Sequence, residues 1–146
     1  MFEDAHPDDA RPRAAIDAAW EFAHGTRRTT LQRVASLDAH RAAKESATEV
    51  ARLAARCAGD AASAAYLHPI AQAGQVGHIL RAAASAARIA ELNAGGDFAV
   101  GARAIEKWRL RATPTLIDVL KRYPVPPTAK NRVSALMAAL DASLRA

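Results

Sequence analysis

Residues 66–80 read Tyr66-Leu67-His68-Pro69-Ile70-Ala71-Gln72-Ala73-Gly74-Gln75-Val76-Gly77-His78-Ile79-Leu80. The polar residues His68, Gln72, Gln75 and His78 recur at intervals of four, three and three, which in a helix puts them in one row. Val76, Leu80 and Ala83 continue as an apolar face, so the spacing predicts an amphipathic helix with an uncharged polar ridge. Pro69 removes an amide donor and crowds the preceding turn, so it should kink or divide that helix. Helical periodicity runs through the rest of the chain too. No window alternates β-branched and aromatic residues as a strand would. The expected fold is all-α: a single compact domain over residues 1–146, built as an irregular bundle of five to seven alanine-rich helices.

Alanine dominates the apolar count. Hydrophobic residues make up 51% of the 146 residues, aromatics only 5%. Alanine favours helix and contributes little buried area, so helices should approach closely around sparse large anchors. Those anchors are expected at Ile16, Trp20, Leu31, Val34, Val50, Leu53, Leu80, Trp108, Leu116, Leu120, Leu136 and Leu140. The one cysteine, Cys57, excludes an internal disulfide, fits a reducing compartment and reads as a small buried hydrophobe. The opening Met-Phe-Glu-Asp carries acids where a secretory signal carries positive charge. No apolar run approaches the roughly 20 residues that span a bilayer. The expectation is a cytoplasmic protein with no membrane partner.

Capping chemistry sets the boundaries. Asp8 or Asp9 and Pro12 open a first helix that runs to about Ala23 and stops at Gly25. Thr29 or Thr30 starts one long second helix ending near Ala58-Gly59, and Asp60 caps a third segment. Beyond Pro69 that segment resumes to about Leu92, and Asn93-Ala94-Gly95-Gly96 ends it. Asp97 caps a helix to roughly Leu110, and Thr113-Pro114 opens a short one over about 114–122. Tyr123-Pro124-Val125-Pro126-Pro127 should run extended, and Thr128 should cap a last helix.

No complete catalytic arrangement is present. His68 and His78 would stand about 15 Å apart in a straight helix, too far for one ion unless Pro69 bends the chain sharply or another helix intervenes, where His40 could approach one of them. Neither His-x-x-x-His nor Cys-x-x-Cys occurs, so no metal and no cofactor is expected. Nucleophilic catalysis lacks a Gly-x-Ser-x-Gly turn, and Asp8-Asp9 and Glu45/Glu49 are explained by capping and an exposed helix face. The expectation is a protein that is not an enzyme.

The net charge of +5 is uneven. Residues 97–146 hold 9 Lys/Arg against 4 Asp/Glu, whereas the preceding 96 residues balance. Arg103, Lys107 and Arg111 recur at i, i+4 and i+8 on one helix face, a pattern that suits an acidic protein surface or phosphates.

Three stretches carry a family resemblance. His6-Pro7-Asp8-Asp9-Ala10-Arg11-Pro12-Arg13-Ala14-Ala15-Ile16 is similar to a helix opening of the immunity-five-like family of bacterial immunity proteins, which act in polymorphic toxin systems. His68-Pro69-Ile70-Ala71 with Gln75 to Leu80 is the second, continuing through alanines to Ala90-Glu91-Leu92. Arg122-Tyr123-Pro124, Pro126-Pro127 and the tail Leu140 to Arg145 are the third. The resemblance implies a helical protein that binds and neutralises a cognate toxin by protein–protein contact. Inhibitors of basic toxins tend to be acidic, so a basic immunity protein implies a toxin whose contact surface is acidic or neutral. The expected contact residues are His68, Gln72, Gln75, His78, Arg103, Lys107 and Arg111. The alternative is a small basic nucleic-acid-binding helical module. A homodimer through an alanine-rich helix face is a third arrangement.

Overall fold

The computed structural model describes residues 1–127 and 130–146. They form eight α-helices, against the five to seven expected, and no strand among the described residues. The chain divides into two compact units, Met1–Leu67 and His68–Ala146.

The first unit holds α1 (Phe2–Ala5), α2 (Arg11–Ala23), α3 (Thr30–Glu45), α4 (Glu49–Ser63) and a 3-10 turn, Ala64–Tyr66. This unit departs from the sequence reading at two points. α1 was not expected, and the long second helix is in fact two, α3 and α4, broken at Ser46-Ala47-Thr48. The break has its own chemistry. Thr48 accepts the Ala51 N–H and so caps α4, while the Ser46 hydroxyl donates back to the Ala42 carbonyl at 2.8 Å. α4 runs on through Gly59, so Asp60 is a buried residue inside it and not a cap.

Alanine faces meet in this unit. Ala15, Ala18, Ala35, Ala39, Ala58 and Ala62 pack together from α2, α3 and α4, with Ile16 against them. Phe2 fills the other end, against Ala42, Ala43, Ala51 and Ala55. Small side chains let α3 and α4 approach so closely that Ser36 Oγ donates to the Gly59 carbonyl at 2.8 Å. Buried Gln32 is satisfied twice: it donates to the Ala18 carbonyl and accepts from the Thr29 N–H. Ala39 has no exposed surface. Ala39→Leu is therefore expected to overpack the unit and to cost about 1–3 kcal/mol in urea denaturation.

The alanine core also explains three misplaced anchors. Trp20, Leu31 and Val34 are exposed, because alanine faces already fill the space between the helices. Ile16, Val50, Trp108 and Leu116 are half-buried, and the other five expected anchors are buried. Cys57 is half-buried as well.

The His6-to-Ile16 opening ties the first helices down. Asp9 accepts the Arg11 backbone N–H at 3.1 Å and holds the Arg11 guanidinium, which also reaches Glu45 on α3 at 2.5 Å. Hydrogen bonding to Arg11 lowers the pKa of both carboxylates. Arg13 pairs with Glu3 on α1, and the His6 ring lies 4.8 Å from the buried Phe2 ring.

The second unit holds a 3-10 turn (Ala73–Gln75), α5 (Val76–Asn93), α6 (Phe98–Arg111), α7 (Pro114–Lys121) and α8 (Arg132–Arg145). α5, α6 and α8 pack on one another, and here the core uses large residues: Val76, Leu80, Ile105, Leu120, Leu136 and Leu140 are buried. Asp97 and Thr113 cap α6 and α7 as the sequence implies. The Thr128 cap lies outside the described residues; α8 is capped by Asn131.

Candidate partner-binding surface

Residues 66–80 are not one helix. Pro69 and Gly74 lie where helix geometry fails, so residues 67–72 are irregular, the short turn Ala73–Gln75 follows, and α5 starts only at Val76. The row of four predicted for a continuous helix therefore breaks up. His68 and Gln72 are exposed on the irregular stretch, Gln75 is half-buried at the 3-10 turn, and His78 is half-buried on the first turn of α5.

Two of the four are nevertheless joined. Gln75 turns back, and its Oε1 accepts the His68 backbone N–H at 3.0 Å. Tyr123, buried after α7, donates its hydroxyl to the His68 carbonyl at 2.6 Å. Both backbone groups of His68 are thus held while its imidazole stays exposed. Arg145 completes the support: it donates to the Tyr123 carbonyl at 3.0 Å and chelates buried Asp141. Gln75 positions the loop, a role that residue spacing alone does not reveal.

The basic row on α6 follows its prediction in geometry. Gly101 and Ile105 form the buried side, and Arg103, Lys107 and Arg111 fall opposite them, exposed. Arg109 is drawn out of the cluster by a two-pronged pair with Glu106 at 2.8 and 2.7 Å, which lowers the glutamate pKa. Arg111 lies over the half-buried Trp108 ring, 5.3 Å from its centroid.

Two further features escaped the sequence reading. The first is buried Glu91 on α5, which accepts from Arg132 on α8 at 2.5–3.0 Å and from Arg88 at 3.1 Å. Arg132 also stacks over Phe98 at 4.2 Å. Hydrogen bonding to Arg132 holds the Glu91 carboxyl below its ordinary value, against the opposing effect of burial. A faint signal existed: Glu91 continues the i, i+3, i+7 series of the buried Ala84 and Ala87.

The second is a groove of about 470 Å³ on the first unit, lined by His40, Ala43, Lys44, Arg52 and Arg56. None of these is acidic. The His40 ring lies flat on Gly59, where an added Cβ would stand 2.9 Å from Nε2, and that nitrogen is 3.7 Å from buried Asp60.

Among the described residues no three His, Cys, Asp or Glu side chains are placed to hold a metal ion. No described helix is long and apolar enough to cross a membrane.

The family model described as Imm-5 like putative immunity protein matches residues 1–115. The chain belongs to this family. The matched segment takes in the whole first unit, the broken ridge and all of α6, but not α8. No curated protein matches the chain, and no solved structure does. Within the Imm-5 like family the arrangement therefore offers two kinds of exposed chemistry: a pinned loop with an imidazole and an amide, and rows of cations on rigid helices.

Proposed function

We propose that this protein is an immunity protein that binds a cognate bacterial toxin in the cytoplasm and neutralises it by contact, without catalysis. Family membership carries the reading, and the exposed residues on the matched segment support it. The proposed contacts are His68 and Gln72 on the loop, with Gln75 and His78 at its edge, and Arg103, Lys107 and Arg111 on α6. Helix-borne side chains hold their direction, so binding would lose little conformational freedom there. A positively charged row steers an acidic surface and sets register.

A pull-down from native lysate with the tagged chain, with and without nuclease, tests this. A stoichiometric protein partner that survives nuclease is the expected result. The triple variant Arg103→Glu/Lys107→Glu/Arg111→Glu is expected to lose that partner while melting as the wild type does.

The same row favours one second reading, a nucleic-acid-binding module. Three phosphate contacts would give a logarithmic salt slope of about −2.7 on duplex DNA. Recovery of nucleic acid, with the proteins lost after nuclease, would replace the first reading by this one.

A further inference from the structure

We propose that the α3–α4 face of the first unit docks an acidic, amphipathic helical segment of the partner protein. This rests on the immunity reading only in taking the partner to be a protein.

Charge placement is the first argument. Residues 1–67 carry nine Lys/Arg against ten Asp/Glu, so the unit is almost neutral. Its charges are nevertheless sorted. Glu3, Asp9 and Glu45 are engaged by Arg13 and Arg11 of α2, whereas Lys44, Arg52 and Arg56 gather with His40 around one groove. Such local concentration attracts carboxylates even though the unit has no net positive charge.

Apolar exposure is the second. Arg33, Leu37, His40 and Lys44 follow one another at i, i+4, i+7 and i+11, a single stripe along α3. Leu37 is 49% exposed, and Val34, one turn before it, is 53% exposed. A nucleic-acid backbone offers these two side chains nothing. A helix with leucines on one side and glutamates beside them satisfies both parts of the stripe at once.

The floor is preformed. His40 is seated on Gly59, and the Ser36–Gly59 hydrogen bond holds α3 against α4 beneath it. Docking would then order only the ends of Lys44, Arg52 and Arg56.

The test is fluorescence anisotropy with the full chain and a labelled helical peptide of about 16 residues, leucine at i, i+3 and i+7 and glutamate on the flanks. Saturable binding at about 0.1 M salt is expected. Lys44→Glu/Arg56→Glu and, separately, Leu37→Asp should each weaken it at least about tenfold, whereas Lys121→Glu/Arg122→Glu should not change it. All five positions are exposed, and melting curves check that each variant is folded. Absence of saturable binding overturns the proposal. So does equal weakening by the α7 variant, or displacement of the peptide by polyglutamate as effective as by unlabelled peptide.

Two results separate this site from the function itself. If the lysate partner is captured equally by wild type and by the groove variants, the docking site is wrong and the immunity reading stands. If the peptide binds through the groove but no nuclease-resistant partner is recovered, the docking site stands and the immunity reading fails.

Discussion

Replacing Gly101 by alanine is expected to destabilise the second unit by about 3–5 kcal/mol, the cost of breaking a buried ion pair. The added methyl would meet Glu91 Oε1 and stand 2.6 Å from its Cδ and 2.7 Å from its Cγ. A surface glutamate would swing aside, but this one has no exposed surface and is fastened by Arg132 and Arg88. Either α6 moves away from α5 or the carboxylate leaves its partners. The close approach, and not backbone freedom, is what requires glycine here. Equilibrium urea denaturation of wild type and variant measures the loss, which would be a large share of the 5–15 kcal/mol typical of a folded protein.

Glu91→Ala is expected to cost a similar 3–5 kcal/mol, for the complementary reason. It removes the buried acceptor of two half-buried arginines and leaves a cavity between α5, α6 and α8. The double variant Gly101→Ala/Glu91→Ala should lose less than the sum of the two, because the methyl then enters space the carboxylate has vacated. A purely additive result would show that Gly101 and Glu91 do not act on each other. Acid supplies an independent readout. The Glu91 pKa is lowered below its ordinary value of 4.5, so the ionised form stabilises the fold above that value. That stabilisation is lost as pH falls through the lower, folded value. Wild type should therefore lose stability more steeply than Glu91→Ala as pH falls below 4.5.

Local chemistry made part of this fold legible in the sequence. Pro69 announced the division of its helix, and Asp97 and Thr113-Pro114 announced two helix starts, because a cap or a proline acts within one turn. The break at Ser46 was obscured because alanines continue in helical register on both sides of it. Periodicity cannot tell one long helix from two that fold back together. Trp20 and Leu31 misled for a related reason: where alanine lines the core, a large apolar residue no longer marks the inward face. The ridge failed at Pro69 and Gly74, so His68 and Gln72 entered a loop. The Glu91–Arg132 pair joins residues 41 positions apart, and nothing local to either announces the other. By contrast, the α6 row was readable from spacing alone, since both its exposure and its alignment follow from the helix period.

The alanine interior of the first unit bears on how such proteins diversify. A leucine core can drift through isoleucine, valine or methionine while conserving volume, and each step changes shape a little. Ala39, Ala55 and Ala62, each without exposed surface, have no such neighbours: glycine loosens the helix and anything larger does not fit. Innovation in that half of the molecule is thereby pushed to its outer faces. Substitutions on those faces leave the scaffold beneath them the same.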